Sequence, residues 1–406
     1  MTPNTTRKLP IARRAQSAKA QANTAKVLRA ITRNATDRGV DELNISEVAK
    51  LSGLTTGAIY GRFEDHDEMA IELWQSVVKH QFRARLQRSV DYLCKSNAKT
   101  PQAAIVKDFE SPDEVARLGA EFLVIARRNL PIGEVVVPEV TAWFAEFGLA
   151  KSNDTINNAA VTIAISASVG TALRSLVMKT NPNWLAIANG LQAAIADAKP
   201  ISQQIEPPQI NWTEPETDSP IRTALCGAVA EVVAKSGYAN ATISRIVRRA
   251  GLTNGSLYTL YPDTEALTDD AMQIFLNLSS DANRKGNRQA SLKLRADRGL
   301  ADSFALGLLP SRRMWLDFRL ECLIASRNHL PTRKKFRQSL ERSRDDLGAT
   351  MPDLPPEIIN LLSSGEQAVG IGFTALEPYT SSLRNCDFYS IMAKLAEQNQ
   401  LLQRAR

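Results

Sequence analysis

Apolar positions recur along this chain at helical spacing, in an order that is used twice. In "AKVLRAITRNATDRG" (25–39), Val27, Leu28, Ile31 and Ala35 share one face of a predicted helix that stops at Gly39. A short helix follows in "NISEVAKLS", which Asn44 or Ser46 can cap while Ile45, Val48 and Ala49 turn inward. Gly53 breaks it. "TTGAIYGRF" then starts a second short helix capped by Thr55 or Thr56, and a longer helix runs from about Asp65 into "EMAIELWQSVVKHQFRARLQRSVDYL". The same order returns in "SPIRTALCGAVAEVVAKSG", "TISRIVRRA" and "TNGSLYTLY", followed by a long helix that the carboxylate of Asp263 is placed to cap. The remaining sequence is rich in Ala, Leu and Ile, confines proline and glycine to breaks and lacks the alternation of a sheet. The predicted class is all-α.

Two positional registers carry the repetition beyond these helices. At an offset of 198, Gly39, Ile45, Val48, Gly53, Leu54, Thr55, Gly57 and Tyr60 match Gly237, Ile243, Ile246, Gly251, Leu252, Thr253, Gly255 and Tyr258. At an offset of 200, "EFLVIARRNLP" (121–131) matches "ECLIASRNHLP" (321–331), and "VGTALRSL" (169–176) matches "VGIGFTAL" (369–376), which pairs Gly170 with Gly370. Ordered matches this far apart imply a tandem duplication of a unit of about 200 residues. Between the copies, residues 199–220 hold Pro200, Pro207, Pro208, Pro215 and Pro220. Proline removes backbone donors and disfavours helix before it, so an extended connector is expected, with Ile210 and Trp212 as anchors that can pin part of it to a domain.

Composition narrows the class of function. A chain of 406 residues exceeds one ordinary core, and 44% hydrophobic with 23% charged residues describes a folded protein. The basic start is followed by no apolar stretch, and the longest apolar segment, "NNAAVTIAISASVGTAL" (157–173), carries polar residues throughout and is read as falling short of a membrane span. A cytoplasmic protein without a membrane partner is expected. Cys94, Cys226, Cys322 and Cys386 stand too far apart for paired metal-ligand spacing and read as reduced thiols. His66, His80 and His329 fit no nucleophile or metal pattern, and no phosphate or dinucleotide loop occurs, so no enzyme, cofactor or metal is expected. The net charge is +7, and residues 1–60 alone hold ten Lys/Arg against four acids, which suits either a solubilising tail or an arm on a phosphate backbone.

Two short helices joined by a tight turn containing glycine are the signature of a helix-turn-helix. The second short helix would present its N-terminal end outward, displaying Thr55, Thr56, Gly57 and Ala58 in one copy and Thr253, Asn254, Gly255 and Ser256 in the other. Small residues permit close approach to a base-pair edge, hydroxyl and amide groups can bond phosphate or base atoms, and the helix N-terminus attracts phosphate. Ile59 and Leu257 read as core. Tyr60 and Tyr258 either reach a phosphate oxygen or only pack, and Thr56 and Asn254 either read bases or only cap. Residues 26–80 and 222–276 each resemble the DNA-binding domain of the TetR family of bacterial transcriptional regulators, whose pattern is a first helix ending in Gly, "hxxhhxxAGhxxGxhY", then "xxFxxKxxL". The resemblance reaches Gly39, Ile45, Val48, Gly53, Gly57, Tyr60, Phe63 and Met69, and then Gly237, Ile243, Ile246, Ala250, Gly251, Gly255, Tyr258, Tyr261 and Leu267. Where the family usually has a lysine at the start of its fourth helix, this chain has His66 and Thr264. The arm residues Arg13, Arg14 and Lys19 and, in the second copy, Arg245, Arg248 and Arg249 are the candidate replacements, and Ser46, Arg62 and Ser244 complete the expected DNA-facing set.

The resemblance implies a basic arm (1–25), a first DNA-binding domain (26–84), a first helical regulatory domain (85–198), the linker (199–220), a second DNA-binding domain (221–279) and a second regulatory domain (280–406). Family members pair through their last two helices, so the duplication implies a pseudo-twofold dimer inside one chain, built from 154–178 and 183–198 against 355–377 and 387–403. Ala164, Ser166, Ala167 and Ser168 would allow close helix approach, and association of whole chains stays allowed. The implied function is a regulator of double-stranded DNA, a repressor released by a small hydrophobic or amphipathic effector. The alternatives are an activator of the same fold and a helical interaction protein that binds no DNA. Trp143, Phe144, Phe147, Met314, Trp315 and Phe318 are candidate effector-pocket residues, or else plain core.

Overall fold

The computed structural model of the chain describes residues 18–95, 100–149, 154–179, 183–200, 213–292 and 296–404. Arg13, Arg14, Ile210 and Trp212 lie outside the described residues. Among those described, the regular elements are helices. The first half contains α1 (Ala18–Arg38), α2 (Ile45–Ser52), α3 (Thr56–Tyr60), α4 (His66–Leu73), α5 (Lys79–Cys94), α6 (Gln102–Glu110), α7 (Glu114–Ile125), α8 (Leu130–Glu146), α9 (Thr155–Arg174) and α10 (Trp184–Asp197). The second contains α11 (Pro220–Ser236), α12 (Ile243–Ala250), α13 (Asn254–Tyr258), α14 (Thr264–Leu292), α15 (Ala296–Gly307), α16 (Arg313–Ala325), α17 (Leu330–Thr350), α18 (Pro356–Leu376) and α19 (Phe388–Arg404). The succession is the same in both halves, because α4 and α5, joined through the π-helical turn Trp74–Val78, answer the unbroken α14.

Two boundaries differ from the sequence expectation. Helix α1 already runs from Ala18, so residues 18–25 of the expected arm belong to it, Lys19 included. Helix α11 begins at Pro220, at a position where a missing N–H is harmless, and the Ser219 hydroxyl accepts from Arg222 N at 3.4 Å.

Each half wraps its own long helix. Helices α5, α6 and α7 pack on α9, and α15, α16 and α17 pack on α18. The halves join where α9 crosses α18, with α10 and α19 packed on each other and each reaching the long helix of the other half. At the crossing the backbones touch. A Cβ on Gly170 would stand 1.6 Å from Ala368 O, and one on Gly372 would stand 1.9 Å from Ser166 O. These reciprocal contacts make Gly372 the counterpart of Gly170. The sequence match of Gly170 with Gly370 is therefore corrected by two residues, since Gly370 is exposed and a Cβ there would meet nothing within 4 Å. Close approach selects the register, and a coincidence of letters does not.

Helix α9 also corrects the reading of the apolar segment. Its 20 residues are long and apolar enough, by length and composition, to cross a membrane, because the helix extends beyond the stretch 157–173 at both ends. Yet 89% of its apolar window is buried inside the protein, where several of its polar side chains find partners. Arg85 Nε, for example, donates to Ser168 Oγ at 3.1 Å. The four thiols are free, with Cys226 and Cys322 buried and Cys94 and Cys386 partly so.

Candidate nucleic-acid interface

The two turn-and-helix units share one construction. Asn44 caps α2 by accepting from Glu47 N at 3.1 Å, and α2 ends at Gly53 with φ 70°. Thr55 Oγ1 then accepts from Ala58 N at 3.2 Å and starts α3. In the second half Gly251, with φ 67°, ends α12, and Thr253 Oγ1 accepts from Ser256 N at 3.2 Å to start α13. Nothing lies within 4 Å of a Cβ built on Gly53 or Gly251, so the left-handed backbone is the reason for glycine at both turns. Ile59 and Leu257, fully buried, pin each five-residue helix to its neighbours.

With Thr55 and Thr253 as caps, Thr56 and Asn254 have no capping duty. Thr55, Thr56, Gly57, Ala58 and Tyr60 are exposed, as are Thr253, Asn254, Gly255 and Tyr258, with Ser256 half-buried. A Cβ on Gly57 would meet nothing within 4 Å, and one on Gly255 only Thr253 Oγ1 at 3.6 Å. Glycine inside a helix costs up to about 1 kcal/mol relative to alanine, and no contact among the described residues accounts for it at either position. Tyr60 and Tyr258 are 57% and 54% exposed, and among the described residues neither hydroxyl has a partner.

The expected basic and polar neighbours are scattered around these tips. Arg62 is exposed and donates to Thr24 Oγ1 at 3.1 Å, tying α1 to the end of α3. Ser46 and Ser244 are exposed in the first turns of α2 and α12. His66 is exposed at the start of α4, 3.4 Å from Asp67, while Thr264 is half-buried at the start of α14. Arg245 donates to Asn240 O at 3.1 Å and Arg249 binds Glu231; with Arg248 and Lys235 they line a groove of about 570 Å³ between α11 and α12.

A buried set of crossed ion pairs links the two units, and the sequence reading did not anticipate it. Arg327, from the second half, donates to Thr36 O at the end of α1 (2.7 Å) and to Glu121 Oε1 (2.7 Å). The other oxygen of Glu121 accepts from Val40 N at 3.3 Å, and Asn328 binds Arg38 O. Reciprocally, Arg128 of the first half donates to Glu321 Oε1 (2.9 Å), binds Asp41, and stands against the end of α11, where a Cβ on Gly237 would come within 2.6 Å of its guanidinium. Arg127 joins Asp317 and Glu321. Glu121 and Glu321 are 1% and 0% exposed; burial pushes both carboxyls up, and the facing arginines pull them back. Buried carboxylates persist as ions only when paired in this way. The available signal was the repeated "RRNLP" and "SRNHLP", whose arginines occupy these sites.

The six candidate pocket aromatics fall into separate packed clusters. Trp143 stacks on Trp74 at 5.6 Å, Phe144 meets Tyr379 edge-on at 6.1 Å, and Arg83 lies over Phe147. In the second half Trp315 stacks on Phe275 at 5.7 Å and meets Phe318 edge-on, with Met314 half-buried beside them. A cleft of about 590 Å³ opens elsewhere, at the seam, between Thr141, Ala145 and Leu149 of the first half and Leu308 and residues 377–384 of the second. None of the six aromatics lines it. Among the described residues no group of three or more His, Cys, Asp or Glu is placed to hold a metal ion.

Residues 227–271 match the profile of the bacterial regulatory proteins of the tetR family. The match covers the second turn-and-helix unit, from within α11 to the first turns of α14. No curated protein matches the chain.

Proposed function

We propose that the chain is a sequence-specific DNA-binding regulator in which α2–α3 and α12–α13 are helix-turn-helix readers, so that one chain carries both readers of an operator. The observation behind this reading is the pair of outward faces on α3 and α13, where Gly57 and Gly255 leave space that no described residue fills, beside exposed tyrosines without partners among the described residues. A small-residue helix tip flanked by hydroxyls suits the floor and walls of a major groove. The profile match over 227–271 and the net charge of +7 support the same reading. The two faces differ at Thr56 and Asn254, Ala58 and Ser256, Gly61 and Thr259, and Arg62 and Leu260. Asparagine can pair bidentately with adenine and threonine cannot, a difference of about 1–3 kcal/mol per base pair. The operator therefore has unequal halves. The helices that follow each reader serve as regulatory domains, and a small molecule releases the chain, a cytoplasmic repressor, from DNA.

Selection of sites from random DNA by the purified chain is the test. Unequal arms bound by one chain per site are expected. A perfect palindrome occupied by two chains refutes the single-chain reader, and no enrichment at all refutes DNA reading. In a deletion strain the target genes rise; a uniform fall identifies an activator instead.

A further inference from the structure

The groove between α11 and α12 carries a charge that its own residues do not balance. Four cations line it, Lys235, Arg245, Arg248 and Arg249, against one carboxylate, Glu231. That carboxylate is already shared, since Lys235 Nζ donates to one of its oxygens at 2.6 Å and Arg249 binds the other. Arg245 donates to a backbone carbonyl, Asn240 O, at 3.1 Å, which leaves its charge uncompensated. The exposed Arg248 guanidinium has no partner among the described residues. Four cations against one carboxylate leave a surplus of three positive charges.

The first half builds the same two helices with most of that surplus removed. At the offset of 198, the counterparts of Glu231 and Lys235 are Arg33 and Asp37, and those of Arg245, Arg248 and Arg249 are Glu47, Lys50 and Leu51. Arg33 stands 3.8 Å from Asp37 and Lys50 stands 3.7 Å from Glu47, so each of these cations is answered within its own helix. Arg38, in the place of Ser236, leaves a surplus of one. The contrast extends past the groove. Residues 44–68 hold two Lys/Arg against five acids, whereas their counterparts 242–266 hold three against two.

Spacing indicates which anion fits. Arg248 and Arg249 follow Arg245 by three and four residues, so the three guanidinia stand on one side of α12, about 4.5–6 Å apart along its axis. All three residues are exposed, so nothing encloses a small anion, and a row of open cations suits a linear polyanion. Arg249 precedes Asn254, the first residue of α13, by five positions, a separation of at most roughly 18 Å. A major groove is about 12 Å wide, so the phosphate strands bordering a helix that lies in it pass within reach of long side chains held at such a distance.

We propose that this groove seats the sugar-phosphate strand beside the bases that α13 faces, and that the chain is anchored on DNA chiefly through its second unit. The occupant is a phosphodiester backbone, held without regard to sequence. The first unit, more acidic around its tip, adds base contacts with less attraction for the backbone. The inference rests on the DNA-binding reading above and assigns the backbone attraction to one half.

The test measures binding of the full chain to a selected operator and to an unrelated duplex of the same length across a series of salt concentrations. Each phosphate contact contributes about 0.9 to the slope of log K against log salt. Arg245→Gln with Arg248→Gln should lower that slope by about 1.8 on both duplexes and leave the ratio of their affinities unchanged. Arg248→Gln alone, which breaks no contact among the described residues, should lower it by about 0.9 and serves if the double variant does not fold. The counterpart pair, Arg33→Gln with Lys50→Gln, should change it by less than about 0.5. An unchanged slope in the folded groove variants, a loss confined to the operator, or an equal loss from the counterpart pair overturns the seat. Equal binding of both duplexes, with the slope still lowered by the groove variants, refutes sequence-specific reading and leaves the seat standing. A chain that binds neither duplex at low salt refutes both.

Discussion

Gly170 and Gly370 look equivalent in sequence, and the structure predicts that alanine at the two positions acts with opposite sign. At Gly170 the added methyl would sit 1.6 Å from a carbonyl oxygen of the facing backbone, which no rotamer change relieves. Restoring ordinary contact means separating α9 from α18 by nearly 2 Å, and a gap of about 0.5–1 Å already forfeits a quarter to a half of a dispersion contact. Overpacking that side chains can absorb costs about 1–3 kcal/mol, so this rigid case should reach about 3 kcal/mol or more even after the gain in helix propensity. Gly372→Ala, at 1.9 Å from Ser166 O, should do the same, and the double variant should cost less than the sum because the helices part only once. Gly370→Ala meets open space in the interior of α18 and should stabilise by about 0.5–1 kcal/mol. The assay is urea unfolding followed by circular dichroism, comparing midpoints at unchanged slope. A neutral Gly170→Ala, or a Gly370→Ala as damaging as Gly170→Ala, refutes the reasoning and with it the two-residue correction of the register.

Three further outcomes follow from buried or capping groups. Burial raises the Glu366 carboxyl from 4.5 to about 6, so the folded chain binds protons more tightly than the unfolded one and loses stability as pH rises through that window; Glu366→Gln should stabilise by about 2 kcal/mol at neutral pH and by little near pH 4, read from unfolding midpoints across pH. Arg327→Ala strips Glu121 of its closest cation and should destabilise by about 3–5 kcal/mol, with partial rescue by Glu121→Gln, and should weaken the first reader's arm of the operator more than the second's. Thr55→Ala and Thr253→Ala each remove a cap worth about 1 kcal/mol, which hydrogen exchange should register as faster opening of α3 or α13 alone.

Local rules carry across from sequence to structure where the chain is its own context. The apolar face of α1, the Gly53 break and the buried Ile59 all depend on neighbours a few residues away and are legible as spacing, which also narrows each cap to two residues, of which Asn44 and Thr55 serve. The crossed pairs Arg327–Glu121 and Arg128–Glu321 join residues roughly two hundred positions apart, so their charges read as ordinary surface until the halves are docked. Gly372 was hidden for a related reason: helix crossing depends on which small residue meets a facing carbonyl, and the better alignment of letters lay at Gly370. The aromatic residues are visible as a helical stripe, but a stripe cannot distinguish Trp143, stacked on Trp74, from Trp315, whose N–H has no acceptor among the described residues.

Two similar halves held in one chain allow such differences to persist. In a dimer of identical chains every residue appears twice, so a helix tip with Asn254 would face another with the same asparagine, and a core holding Arg319 would be matched by a second Arg319. Here position 119 is a glycine capped by Phe82 while position 319 is an arginine, and position 56 is a threonine while position 254 is an asparagine. The helix crossing is meanwhile kept reciprocal, with Gly170 against Ala368 and Gly372 against Ser166, and so are the ion pairs that each half extends to a glutamate of the other. Symmetry is thus retained where the halves must fit one another, and lost where each meets something else. That division is the physical ground for the proposal that α3 and α13 are two surfaces for unequal DNA.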